Sequence, residues 1–366
     1  MSPQERNTRT AIDNINQLGW TTISHLCSNG LPQIGPAVSA LSITIALAML
    51  AGGATGTHRN ELCAALGLNH PDEITEALSK TLAILKAPSI RFNAANALFT
   101  TRDTTAYPEY IAYLRKLDAH VDSTFTDLAD GVDGINDWIA QETDGLITNM
   151  LTRDTLAHSH MVLINALVFK ATWEKAFDPK HTIADYPFDS TKKVEMMFRH
   201  QDVVLVDERD TYTAVRLPYV SARDSNWAFV AYLPRKHKSI QEILPHIHPY
   251  TPTAFRKTKL STLGLPKFHL RTQESLKPVL ERLGYPLSSS FPVMGTGTNL
   301  VEQIIHSVAV ILDEKGTEAA AATAVVMTRS RPANPLPSIV FDRPFAFAIV
   351  AEEAGVVVFS GVFSVA

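Results

Sequence analysis

Glu314-Lys315-Gly316-Thr317-Glu318-Ala319-Ala320-Ala321-Ala322-Thr323-Ala324-Val325-Val326-Met327-Thr328-Arg329-Ser330-Arg331 is a run with two conformational characters. Its alanines have the best helix propensity of any residue, whereas Val325 and Val326 suit a strand better. Laid out as a strand, Thr317, Ala319, Ala321, Thr323, Val325 and Met327 fall on one face. Glu318, Ala320, Ala322, Ala324, Val326 and Thr328 fall on the other. The first face is uncharged throughout, so it can enter a sheet without desolvating an ion. The small side chains near Gly316 let such a strand slip between neighbours that are already paired. Taken as a whole, Gly316 to Ser338 begins in alanines and ends in prolines, with no period and no turn motif. A structureless segment of that length in a compact fold is usually functional.

The surrounding chain can bury a large core without staples, having 366 residues of which 45% are hydrophobic. A net charge of -4 with both signs interleaved gives no broad basic field, so no nucleic-acid or membrane partner is expected. Cys27 and Cys63 are the only cysteines and cannot build a disulfide framework, so they read as free thiols. Met1 to Gly19 is polar and charged and shows no secretory signal. There is also no Asn-x-Ser/Thr acceptor. A cytoplasmic chain is expected, or else a trimmed or unconventionally exported secreted one. The most apolar run, around Ala37 to Ala51, is too short and too rich in Ser and Thr to cross a bilayer and reads as a buried helix.

Spacings of three and four predict helices over Ala11–Ser28, Ser42–Ala51, Arg59–Leu66, Pro71–Lys86 and Pro108–Leu117. A further amphipathic helix is expected over Gly134–Met150, with Ile135, Trp138 and Ile139 on one face. From Met161 the period shifts towards two. Strands are expected at Met161–Phe169, Ala214–Pro218, Trp227–Leu233, Leu263–Leu270 and Phe345–Val350. A late helix is expected at Glu274–Leu283, with Pro278 tolerable only near its first turn. Helices first and strands later, with no repeat or linker, favour one α+β domain spanning 1–366.

Ordinary catalytic and binding signatures are missing. There is no Gly-x-Ser-x-Gly elbow. Gly52, Gly53 and Gly56 lack the Lys-Ser/Thr of a phosphate loop, and Gly295-Thr296-Gly297 lacks a third glycine, so both read as turns. His158 with His160, and His246 with His248, have no accompanying metal motif, so no metal or other cofactor is expected. The run Arg235-Lys236-His237-Lys238 follows Pro234 after a strand and reads as a charged turn, with a polyanion patch as the sharper alternative.

The alanine-rich run resembles the hinge of the reactive-centre loop of inhibitory serpins, and further matches extend over nearly the whole chain. Asn165-Ala166, Phe169-Lys170 and Trp173 followed by Phe177 resemble the family's strand ending in a sheet-top Trp, with Ala171 where glycine is usual. Ser39, Ser42, Asn165 and His306 resemble the polar cluster beneath the central sheet where strands part, with Ala40 in place of a common proline. Ile135-Asn136-Asp137-Trp138 with Thr143, Gly145 and Ile147 resembles the helix lying across that sheet. Met196-Met197, Leu217-Pro218-Tyr219, Leu265-Pro266-Lys267-Phe268, Asp342-Arg343-Pro344-Phe345 and Phe359-Ser360-Gly361 follow in the family's order.

The resemblance implies a single-domain α+β serpin fold of about nine helices around three β-sheets. Residues 314–338 would be hinge and reactive-centre loop, with Glu314, Gly316, Thr317, Glu318, Ala319, Ala320, Ala321, Ala322 and Thr323 as the hinge. Ser39, Ser42, Asn165, Trp173 and His306 would govern sheet opening. It implies a monomeric suicide-substrate inhibitor, not an enzyme, whose partner is a serine protease trapped as an acyl-enzyme. The usual register places the reactive bond at Ser330-Arg331. A trypsin-like pocket prefers Arg329-Ser330, which is the favoured reading. Proline after Arg331 disfavours that bond. A non-inhibitory carrier on the same fold is the alternative; bulky, charged or proline residues in the hinge would point there, and Ala319 to Ala324 contains none. An inhibitor of cysteine proteases would call for Asp or an apolar residue before the bond. Between Glu73 and Arg91 the basic residues are Lys80, Lys86 and Arg91, which does not support a heparin site.

Overall fold

The computed structural model describes residues 3–32, 35–85, 91–189, 192–220, 226–247, 249–297, 299–317 and 336–365. The chain runs through α1 (Pro3–Leu26), β1 (Ala37–Val38), α2 (Ala40–Gly53), α3 (Gly56–Ala65), α4 (Pro71–Leu85), β2 (Arg91–Thr101), α5 (Pro108–Lys116) and β3 (Ala119–Phe125). It continues through α6 (Val132–Glu142), α7 (Arg153–Leu156), β4 (Met161–Thr172), β5 (Thr182–Phe188), β6 (Lys192–Glu208), β7 (Tyr212–Pro218), β8 (Trp227–Pro234) and α8 (Ile240–Ile243). The last elements are β9 (Arg256–Pro266), β10 (Phe268–Ser275), α9 (Lys277–Arg282), β11 (Gln303–Leu312), β12 (Gly316–Thr317), β13 (Ser338–Val340), β14 (Phe345–Ala351) and β15 (Val356–Phe363).

A central sheet has the order β10-β11-β4-β2-β3, and β12 adds to the far end of β4. Alternation along β4 divides the interior in two. Leu163, Leu167, Phe169 and Ala171 join the main core, while Val162, Ile164, Ala166 and Val168 form a second core beneath α6. Burial on both faces explains why Met161 to Phe169 reads as a nearly unbroken apolar run. Helix α2, buried almost all round, lies on the main-core side, where Ser39 caps it by accepting from the Ser42 amide at 3.3 Å. Ala40 occupies the first helical position, the one place in a helix where the proline common in the family also fits. On the opposite face α6 lays Ile135 and Ile139 over the second core.

Where two further sheets were expected, the described residues form one nine-stranded sheet, ordered β1-β15-β14-β8-β7-β6-β9-β13 with β5 beside β6. The first part of the long strand β6 pairs with β5, its last part with β7, and β9 runs along most of its length.

The division into helices first and strands later is corrected by β2 and β3, which lie in the first half and complete the central sheet. The expected helix over Gly134–Met150 stops at Glu142, because Asp144, Gly145 and Asn149 all adopt positive φ. Leu263–Leu270 divides at Lys267 into the ends of two strands, β9 and β10. The late helix is shortened to Lys277–Arg282, with Pro278 in its first turn as required. The loop expected from Gly316 to Ser338 is ordered at both ends by β12 and β13, and residues 318–335 lie outside the described residues.

Candidate functional site

Three polar residues form a row across the central sheet. The register places Asn96 of β2 opposite Asn165 of β4, and Asn165 opposite His306 of β11. Their sequence parity matches Leu98, Leu167 and Val308 of the main core, so all three point towards α2. His306 is fully buried. Its Nε2 accepts from the Ser39 amide at 3.1 Å, which fixes the proton on Nδ1, and Nδ1–H donates to Asn165 Oδ1 at 2.6 Å. Asn165 Nδ2 donates to the Ser42 carbonyl at 3.1 Å and to Asn96 Oδ1. Burial pushes the His306 imidazole down to about 3, so this network is uncharged at neutral pH.

The row crosses a weak seam. β4 and β11 pair in parallel over seven residue pairs, Gln303–Ala309 with Val162–Val168, between two antiparallel ladders. Parallel pairing is slightly less stable per residue than antiparallel.

At the far end of β4, beyond the last β4–β11 pair, the chain that follows β11 pairs with β4 in its turn. Gly316 and Thr317 pair antiparallel with Thr172 and Ala171. A Cβ on Gly316 would lie 2.2 Å from the Ala171 carbonyl oxygen, so this approach needs glycine. Asp313 shapes the preceding turn, its Oδ1 accepting from the Lys315 and Gly316 amides at 2.8 and 3.0 Å. Trp173 is stacked on Tyr219, with ring centres 4.5 Å apart and planes at 5°, and its indole N–H donates to the Asp313 carbonyl at 3.0 Å. Thr317 is fully buried, its hydroxyl 2.9 Å from Tyr219 Oη.

Glu314 anchors the turn from outside. Its backbone carbonyl accepts from the Phe177 amide at 2.7 Å, and its carboxylate takes the Thr182 hydroxyl at 2.8 Å and Lys267 Nζ at 3.4 Å. Burial would raise this carboxyl, but the Thr182 and Lys267 contacts outweigh it and hold the group below its ordinary range. Arg199 lies over Phe177, 4.2 Å from the ring centre, and pairs with buried Asp202, which Lys175 also contacts.

The site is therefore a parallel β4–β11 pairing crossed by a buried polar row, with the short β12 paired to β4 beyond its end. A family model described as serpin, serine protease inhibitor, matches residues 13–365. The chain belongs to the serpin family. Serpin A3-1 of Bos taurus is 30% identical over 345 residues, covering 88% of this chain and 82% of the relative. Among solved structures, Arabidopsis AtSerpin1 in its native stressed conformation aligns with a TM-score of 0.84 at 23% identity, covering 97% of this chain and 98% of that one. Human thyroxine-binding globulin complexed with thyroine aligns with a TM-score of 0.82 at 22% identity, covering 97% and 98%. These two structures carry the fold alone.

In this serpin Ser39, Ser42, Asn165 and His306 lie together at the seam, Ser42 through its backbone amide and carbonyl. Trp173 does not join them, for it lies at the other end of β4 with the hinge. Glu314, Gly316 and Thr317 are placed as above, while Glu318 to Thr323 and the bonds at Arg329, Ser330 and Arg331 lie outside the described residues. Sequence reasoning missed Asn96, Asp313, Thr182 and the roles of Tyr219 and Lys267. A lone asparagine in the run Ala94 to Phe99 was the available signal for Asn96.

The serpin's basic turn is internally paired. Arg235 meets Glu208 at 3.4 Å and Lys238 meets Glu242 at 2.8 Å. Cys27 and Cys63 are free and buried, and burial pushes the Cys27 thiol up to about 11.

Proposed function

We propose that this serpin is a suicide-substrate inhibitor of trypsin-like serine proteases, with Arg329-Ser330 as its reactive bond. The hinge entry at Gly316 and Thr317 carries the reading, because it sets the register in which a freed loop would continue. Extending that register puts Ala319 opposite Phe169, Ala321 opposite Leu167 and Thr323 opposite Asn165. Every residue that would turn inward is small or apolar down to Met327.

The protease serine attacks the Arg329 carbonyl, the bond to Ser330 breaks, Ser330 leaves as a free amine, and an ester joins Arg329 to the enzyme. Residues from Glu318 onward then insert between β4 and β11, replacing one parallel ladder by two antiparallel ones. The tethered protease is carried along the sheet, and distortion of its oxyanion hole prevents hydrolysis of the ester. Insertion must outrun that hydrolysis.

Mixing with trypsin and looking for a complex that survives boiling in detergent tests the reading. Arg329→Ala is expected to abolish the complex; inhibition that survives this change moves the bond to Ser330-Arg331. Rapid cleavage with no complex and no gain in thermal stability would instead support a carrier, the class to which the thyroxine-binding neighbour belongs by name.

A further inference from the structure

Of the two histidine pairs close in sequence, His248 lies outside the described residues; the fold brings together another pair, distant in sequence. His181 ends the 3-10 turn Pro179–His181, and His200 lies on β6. Their ring centres are 5.4 Å apart, and both residues are exposed. A tetrahedral ion that holds two imidazole nitrogens at about 2.1 Å sets their ring centres roughly 5 Å apart. The planes of the two rings stand at 76° to each other, and His200 has two further neighbours. Phe198 lies parallel to its ring at 6.0 Å, and Nδ1 sits 3.3 Å from the Thr262 hydroxyl, so that with Nδ1–H donating there Nε2 keeps a free lone pair. Among the described residues none hydrogen-bonds to the His181 ring.

We propose that His181 and His200 chelate a divalent transition-metal ion of the Zn2+ type, with water completing its coordination. Among the described residues no cluster of three or more His, Cys, Asp or Glu could hold a metal, so the site supplies two protein ligands. A bound ion ties the start of β5 to β6, one residue from the Thr182 hydroxyl that holds Glu314. The proposal stands apart from the inhibitory reading, because binding is measured without any protease.

Calorimetric titration of the untagged protein with Zn2+ tests it. One ion per chain is expected, weakened about tenfold or more by His181→Ala or His200→Ala and unchanged by His246→Ala. Zn2+ should also raise the unfolding midpoint of the unmodified chain and not of the two pair variants. Both positions are exposed, so the variants should match the parent's circular dichroism spectrum and metal-free midpoint. No saturable binding, or an affinity in both pair variants equal to the parent's, overturns the proposal.

Discussion

Thr317 and His306 set two different limits on the seam. Thr317 has no exposed surface and its hydroxyl meets Tyr219, so Thr317→Arg must bury a guanidinium without a partner or expel the strand. The variant is expected to be cleaved by trypsin with little covalent complex; complex formed in full would refute the insertion argument. His306 has a folded value of about 3 against an ordinary 6.5. Being depressed in the folded chain, it contributes stability that is complete above pH 6.5 and lost as pH falls towards 3, because only the unfolded chain takes up the proton. The loss should approach about 1.4 kcal/mol per pH unit within that window. Urea midpoints measured against pH should fall less steeply for His306→Gln than for the parent; equal slopes would place the titrating group elsewhere.

Among the elements, α6 and the segment after it form a brace across the central sheet. Asn136 Nδ2 donates to the Leu151 carbonyl and its Oδ1 accepts from the Leu151 amide, both at 2.9 Å, with Asn136 largely buried. Asn136→Ala would orphan two backbone groups and is expected to cost about 2–3 kcal/mol in chemical unfolding. The amphipathic spacing of Ile135 and Ile139 was legible in the sequence, but the end of α6 was not. Three non-glycine or glycine residues with positive φ decide it, and Asp144 and Asn149 carry that tendency only weakly. β2 was hidden for a different reason. Its Arg91–Thr101 sequence is rich in alanine and asparagine, and its strand state comes from pairing with β3 and β4 on either side.

For the whole molecule, the stored difference lies between one parallel seam and two antiparallel ladders. Trypsin-cleaved chain is expected to melt well above the uncleaved chain in calorimetry; equal midpoints would show that no insertion follows cleavage. Thr323→Val should narrow this gap by about 1–2 kcal/mol if the loop inserts in the register that Gly316 and Thr317 begin, since the Thr323 hydroxyl would then fall opposite Asn165 as it separates from His306. A gap unchanged by Thr323→Val would mean that the loop enters in another register.

The sequence by itself determined the uncharged face of the run from Thr317 to Met327, which follows from side-chain chemistry and a period of two. The residues of the seam cluster were named through the family resemblance, and the need for glycine at 316 came from the structure. Only the tertiary structure decided that Asn96 joins Asn165 and His306, that Trp173 serves the hinge end, and that Thr182 and Lys267 hold Glu314. Each of these contacts joins elements distant in sequence, and strand register selects the partner where local propensity cannot.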